Sequence, residues 1–317
     1  MASNKVLVLY GPTGSGKTAL IERTFLEKPE PGLRPAFVVS ADSMQVYRGM
    51  DLGTAKPSAG LRARLPHALV DVRDPSESFS VGDFARLADE ACEAALDSGR
   101  LPVVSGGTGF YIRNFVLGLS AAPEADPAIR ESVSRQLAEE GPTALRAELE
   151  AGDPVSAARI AAADHYRLAR AVEVLRSTGR PLSSFERPAA PRTRWDFVLV
   201  ELVVPRAELY ARIDARAEAM FAAGLPAEVD TLVRAGYGPA APGLRAIGYR
   251  EFLENPRAPD EDEAEWLDRV LELVKRNSRR YAKRQLTFFS GLPGATRVAA
   301  GDEATFRALL RERFADS

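Results

Sequence analysis

The sequence predicts an α/β fold, a parallel sheet flanked by helices with a helical insertion domain. The first third of the chain alternates short apolar runs with amphipathic stretches through tight connections, the pattern of β-α-β units. From about residue 120 strand signals vanish until Trp195, and alanine-rich stretches punctuated by Gly-Pro and Asp-Pro pairs take their place. An apolar run then returns at Phe197 and further helices follow. This organisation predicts a core of residues 1–119 and 191–317 and an insertion of residues 120–190.

In order, Val6-Leu7-Val8-Leu9-Tyr10 reads as a buried strand. It runs into Gly11-Pro12-Thr13-Gly14-Ser15-Gly16-Lys17-Thr18, which meets every defined position of the G-x-x-x-x-G-K-[ST] loop. Ala19 to Arg23 reads as the helix after it. Backbone N–H groups of such a loop wrap phosphate oxygens, helped by the helix dipole and by Lys17, while Thr18 can hold Mg²⁺. The sheet is therefore expected to be of the P-loop NTPase kind, binding a di- or triphosphate. The loop leaves open which molecule carries the phosphates and which bond breaks.

Phe37-Val38-Val39 reads as the second strand, Asp83 to Leu96 as a helix stopped by Ser98-Gly99, Leu101 to Val104 as the third strand, and Phe110 to Leu117 as a helix. The insertion carries helical stretches near 128–140, 143–150, 154–162 and 164–177. Phe197 to Val200 supplies the returning strand, followed by helices at 206–222, 227–235 and about 263–289.

The 317 residues are 45% hydrophobic and 27% charged with a net charge of −2. That is ordinary for a globular protein, and a nucleic-acid partner must be held by local patches. A single cysteine, Cys92, excludes an internal disulfide framework and a cysteine metal site. With Ala88, Ala91 and Ala95 around it, it reads as a buried structural thiol. His67 and His165 lack metal-site spacing and read as structural or polar-contact residues. The N-terminal apolar run is too short for a signal peptide or a membrane span, so the cytoplasm is expected.

Four groups of residues can carry chemistry. Asp42 follows the second strand, where open α/β sheets place ligands. It could bind magnesium, act as a base for an incoming nucleophile, or merely cap a turn. The third strand ends in Ser105-Gly106-Gly107-Thr108-Gly109, with no carboxylate to organise water. Its glycines suit a cradle for substrate or pyrophosphate, or simply a flexible loop. Arg212 and Arg216, four apart, can close on a pyrophosphate or form a solvated face. Lys275, Arg276, Arg279, Arg280, Lys283 and Arg284 make a basic stripe without an intervening acid. Such a stripe favours a polyanion, with a solvated helix face as the alternative. Arg167 and Arg170 are a further basic pair on the insertion.

These stretches resemble the tRNA dimethylallyltransferases. Beyond the phosphate loop, the resemblance rests on Asp42-Ser43-Met44-Gln45-Val46-Tyr47-Arg48-Gly49-Met50-Asp51, Gly53-Thr54-Ala55-Lys56-Pro57, Asp71 to Pro75 and Gly106 to Tyr111. Later matches are Arg167 to Gly179, Pro181-Leu182, Ala246-Ile247-Gly248-Tyr249 and Tyr281-Ala282-Lys283-Arg284-Gln285. With no zinc-finger segment in the sequence, the resemblance is to the bacterial type. It implies transfer of a dimethylallyl group from dimethylallyl diphosphate to N6 of an adenosine beside the anticodon, position 37, with Mg²⁺ as cofactor.

By position, the resemblance makes Asp42 the general base. Thr108 stands beside the reacting centre, and Thr13, Ser15, Lys17, Thr18 and Arg216 hold the diphosphate. It implies tRNA contacts at Asp42, Ser43, Met44 and Gln45, at Thr108 and Arg130, at Tyr166, Arg167 and Arg170, at Arg245, Gly248 and Tyr249, and at Lys283, Arg284 and Gln285. The expected partners are an anticodon stem-loop and dimethylallyl diphosphate, with no membrane and no obligate protein partner, the chain acting as a monomer. Two rivals share the loop: a prenyltransferase of free adenine nucleotides, and a small-molecule kinase. A non-catalytic nucleotide switch is more distant.

Overall fold

The computed structural model describes residues 4–124, 126–186 and 188–314. One sheet of six parallel strands has the order β3-β2-β4-β1-β5-β6. The strands are β1 (Lys5–Tyr10), β2 (Ala36–Ser40), β3 (His67–Ala68), β4 (Leu101–Gly106), β5 (Asp196–Val203) and β6 (Thr296–Ala299). Helices α1 (Lys17–Glu22), α2 (Ala59–Arg64) and α3 (Val81–Asp97) connect the first four, and α4 (Gly109–Leu117) follows β4. Central strand β1 is fully buried from Val6 to Tyr10, which is why it reads as an unbroken apolar run rather than an alternation.

Among the described residues, four α-helices lie within the insertion: α5 (Pro127–Glu140), α6 (Pro142–Gly152), α7 (Pro154–Arg159) and α8 (His165–Thr178). After β5 come α9 (Arg206–Ala222), α10 (Leu225–Arg234), α11 (Arg250–Glu254), α12 (Glu263–Phe289) and, beyond β6, α13 (Glu303–Phe314).

Short elements were not visible as patterns. Strand β3 has two residues, so Leu101–Gly106 is the fourth strand in sequence and not the third. Only Val298 of β6 is buried, leaving no alternation to detect. Helix α13 packs Phe306, Leu310 and Phe314 against Leu7, Leu9, Val38, Val103 and Val200 of the sheet.

The chain divides into two compact units, one of residues up to Val116 and from Arg192, the other Leu117–Pro191. The second has its own apolar core of Val133, Leu145, Leu149, Leu168 and Val172. The Asp153 carboxylate caps α7 through the Ser156 N–H at 3.0 Å and accepts the Ser183 hydroxyl at 2.6 Å. Arg176 of α8 pairs with Glu148 of α6.

In the first unit, the two chain ends that flank the second are tied together. The Arg192 N–H donates to Val116 O at 2.9 Å and its Nε to Phe115 O at 2.7 Å. Its guanidinium reaches both Asp89 oxygens at 2.8 and 2.9 Å, and Trp195 Nε1 donates to the same carboxylate. Burial alone would raise the Asp89 pKa, but these donors hold it below the usual carboxylate range. Nearby Cys92 is wholly buried and its thiol is pushed far up by that burial, as expected of a structural cysteine.

The last residue of β4, Gly106, lies against the backbone that leads into Asp42. A Cβ there would stand 2.1 Å from Ala41 O and 2.3 Å from Ala41 C, and backbone cannot yield as a side-chain tip can. Gly106→Ala should therefore destabilise the protein by about 1–3 kcal/mol or more. The shift of the urea unfolding midpoint measures this, and an unshifted midpoint would contradict the close approach.

Candidate active site

Adjacent strands β2, β4 and β1 end at one edge of the sheet and deliver Asp42, Thr108 and the phosphate loop side by side. In the loop, the Ser15 N–H donates to Pro12 O at 3.2 Å. Lys17, the first residue of α1, is half-buried and bends back under the loop. Its Nζ donates to Gly11 O and Pro12 O at 2.9 Å each and to Ser15 Oγ at 3.2 Å. Burial lowers its pKa to about 8 against the opposing pull of Asp42, and nearby Arg216 adds to the lowering.

Asp42 Oδ1 accepts the Met44 N–H at 2.9 Å, so the turn-capping bond is present. The same residue lines a cavity of about 270 Å³. Thr108 stitches the two strand ends together. Its N–H donates to Ala41 O at 3.1 Å, and its Oγ1 accepts the Ser43 N–H at 3.0 Å. Gln45 is spent internally, accepting from Ser40 Oγ at 2.8 Å and donating to the carbonyls of Thr54 and Ala55.

Helix α9 brings Arg216 into the same cavity, with one NH donating to Thr13 Oγ1 at 3.3 Å. Burial lowers the Arg216 pKa, and the Asp42 charge opposes that shift. Arg212 instead pairs with Glu208 at 2.5 Å. The rest of the wall is mixed, with an apolar stretch of Ile213, Ala217, Met220, Ile247 and Val274 beside Arg245, Arg250, Ser278, Tyr281 and Arg284.

The glycines that end β4 and follow it pack closely against other parts of the protein. The Cβ space of Gly106 is filled by Ala41, and a Cβ on Gly107 would stand 2.6 Å from Gln285 Nε2. Gln285 itself is 4% exposed, although the resemblance makes it a tRNA contact. Tyr281, one turn earlier on α12, is pushed up to about 12 by burial and by the Asp42 charge, against the opposing pull of the Thr108 and Gln285 side chains. Neither role is legible in the residue types alone, although both lie in the distinctive Tyr-Ala-Lys-Arg-Gln block.

The basic stripe is partly neutralised from outside the helix. Lys275 pairs with Glu218 and Glu272 at 2.8 Å, and Arg279 with Asp214 at 2.5 Å. Arg276, Arg280, Lys283 and Arg284 remain exposed. Tyr249 and Gly248 are built into the scaffold. The Tyr249 hydroxyl donates to Glu228 at 2.6 Å and accepts the Gly53 N–H at 3.1 Å, and the Gly248 N–H donates to buried Glu251 at 2.8 Å. Glu228, unmarked by any motif, also accepts the N–H groups of Asp51 and Leu52.

In the second unit, Tyr166 is 83% exposed. Arg130 and Arg167 are exposed as well, the latter paired with Asp164. Arg170 turns inward, donating to Pro123 O at 2.6 Å.

Among the described residues no cluster of three or more His, Cys, Asp or Glu side chains could hold a metal ion. The exposed Thr18 hydroxyl at the start of α1 fits Mg²⁺ in the manner usual for that ion, which takes most of its ligands from substrate phosphates and water. No helix among the described residues is long and apolar enough to cross a membrane.

An anion over the loop favours the ammonium form of Lys17, whose pKa is lowered to about 8. Diphosphate affinity should therefore fall as pH climbs through about 8, where the amine loses its charge. Calorimetric titration across this range tests it. The decline should be absent from Lys17→Met, and an identical pH profile in that variant would contradict it.

The model for the IPP transferase family matches residues 45–291. A tRNA dimethylallyltransferase of Trichlorobacter lovleyi is 41% identical, covering 93% of each chain. One of Halorhodospira halophila is 42% identical over 94% of this chain and 93% of its own. Among solved structures, the tRNA isopentenylpyrophosphate transferase of Bacillus halodurans superposes with a TM-score of 0.66 at 32% identity, covering 98% of this chain and 97% of that one. A eukaryotic dimethylallyltransferase acting on tRNA has the same fold, with a TM-score of 0.76 at 23% identity over 98% of this chain and 77% of its own. Sequence and fold agree over nearly the whole length, and the chain belongs to the IPP transferase family.

Proposed function

We propose that the protein transfers a dimethylallyl group from dimethylallyl diphosphate to N6 of an adenosine beside the anticodon of tRNA, at position 37, releasing diphosphate. One observation carries this reading. A single cavity sets Thr13 and Arg216, a carboxylate at Asp42, and an apolar wall of Ile213, Ala217, Met220, Ile247 and Val274 around one space. Phosphate-binding groups beside an apolar wall suit a prenyl diphosphate better than a nucleoside triphosphate.

In the reaction the N6 lone pair attacks the prenyl C1, and the C1–O bond to diphosphate breaks. The Asp42 carboxylate accepts the N6 proton. Charge accumulates on the departing diphosphate, where Lys17, Arg216 and the loop N–H groups of Gly11 to Thr18 stabilise it. Thr18 would hold Mg²⁺, which when bound would add to the charge neutralisation of the diphosphate. Thr108 fixes the Ser43 backbone and so the approach to Asp42. The adenine must leave its stack to enter such a cavity.

In the first unit the exposed cations of α12 suit the tRNA backbone, and in the second unit, taken by itself, exposed Tyr166, Arg167 and Arg130 offer charge and a stacking face. Residues 117–191 then serve as the tRNA-recognition unit. The partners are tRNA and dimethylallyl diphosphate, and the protein works as a cytoplasmic monomer.

The direct test incubates the protein with unmodified tRNA and dimethylallyl diphosphate and searches the digest for prenylated adenosine by mass spectrometry. Equal use of free AMP would favour a nucleotide prenyltransferase, and phosphoryl transfer from ATP would replace this reading with a kinase.

Asp42→Asn should keep diphosphate binding and lose turnover by ~10²-fold or more, the scale of a positioned base. Single-turnover rates of the variant matching wild type would remove Asp42 from that role. Binding of tRNA should weaken steeply with salt, each neutralised phosphate adding a slope of roughly −0.7 in log K against log salt for single strands. Arg276→Ala with Arg280→Ala should flatten that slope by one to two such increments and leave diphosphate affinity intact. An unchanged slope would reduce this face of α12 to a solvated one.

A further inference from the structure

Gln285 stands on the helix whose outer face is basic, yet its side chain points the other way. We infer that Gln285 is a positioning residue for the donor diphosphate, acting through the backbone of the phosphate loop rather than by touching tRNA. This inference rests on the proposed use of the loop to hold the diphosphate.

Both ends of the amide are used. Oε1 accepts the Thr13 N–H at 3.0 Å, and Nε2 donates to Gly107 O at 2.7 Å. The two partners fix the orientation of the amide, because an N–H needs the oxygen and a carbonyl needs the nitrogen. The bonds span 272 and 178 positions of chain, so one side chain joins the loop after β1 to the loop after β4. At 4% exposure the residue has almost no surface to offer a macromolecule.

Gly107 is shaped to this contact, since a Cβ there would stand 2.6 Å from Nε2. Thr13 is the loop residue that lines the cavity, and its hydroxyl accepts a hydrogen bond from Arg216 at 3.3 Å. Holding the Thr13 N–H therefore sets where its hydroxyl meets Arg216. It also commits that N–H to the protein, so the diphosphate must be bound by the remaining loop donors, Lys17 and Arg216. On the other side the Tyr281 hydroxyl lies near enough to Gln285 and Thr108 to feel both side chains, which places it between the brace and Asp42.

Gln285→Met keeps the volume and removes both hydrogen bonds. Gln285→Glu in its ionised form keeps an acceptor for the Thr13 N–H but turns a second acceptor on Gly107 O. Three readouts separate the possibilities: the dissociation constant of inorganic diphosphate by calorimetry without tRNA, the dissociation constant of tRNA by filter binding, and the KM for dimethylallyl diphosphate alongside kcat. We expect both variants to weaken diphosphate roughly tenfold, the scale of one or two lost buried hydrogen bonds. The KM for the donor should rise with it, and the tRNA dissociation constant should stay within about twofold of wild type.

The glutamate variant should be the weaker binder of the two, because its charge repels the ligand's. Diphosphate affinity equal to wild type in a folded variant, or a loss confined to tRNA, would overturn the inference. If the methionine variant fails to fold, the glutamate and an asparagine variant carry the same comparison. Asparagine is too short to reach both partners and should behave like methionine. Failure of the wild-type protein to modify tRNA would instead count against the proposed transfer reaction, since inorganic diphosphate binding needs no acceptor.

Discussion

The site depends first on the hydrogen-bonded register of three parallel strands. Ser105 of β4 is paired with Ser40 of β2 on one side and Leu9 of β1 on the other, and Gly106 with Tyr10. Two residues past these pairs stand Asp42 and Gly107, with Gly11 one residue past Tyr10, so the carboxylate and both loops leave the sheet at one level. Because side chains alternate across a strand, a slip of one residue would turn each strand to its other face. These strands are buried on both faces, so the register is held by the packing of unlike side chains and by the close approach of Gly106 to the Ala41 backbone, not by an apolar–polar alternation. The chemistry of the edge is thus held by the core behind it.

Charge is arranged on that frame with little to spare. Lys17, Arg216 and Asp42 lie within electrostatic reach of one another, and burial disfavours the charged forms of both cations. The lysine donates to two loop carbonyls. In the proposed reaction a diphosphate would compete for that ammonium, offering more charge than neutral carbonyls do.

Long, periodic or motif-bearing elements were legible in the sequence. The loop at 11–18 meets a defined motif, the helix at 206–222 starts directly after Pro205, and the helix at 263–289 starts where Asp262 caps the Ala264 and Glu265 N–H groups. Illegible features depend on partners distant in the chain. The exposed-looking Gln285 is buried because two loops, from Thr13 and Gly107, close over it. Lys275 and Arg279 belong to a basic run by sequence, but Asp214 and Glu218 come from another helix to pair with them. The glycines at 106 and 107 resembled a ligand cradle, and only the packed structure shows Ala41 and Gln285 in the space they leave. Local pattern reports what a segment is, while its neighbours decide which face of it is spent.

The join at Arg192 has a consequence for how such a chain can change. Its backbone hydrogen bond to Val116 places the exit and re-entry of residues 117–191 next to each other. A segment that leaves and returns through one doorway imposes almost no closure constraint on the sheet. Its length and internal architecture can therefore drift, shrink or be exchanged while the strand register stays untouched. The fold separates what must be conserved in geometry from what is free to vary.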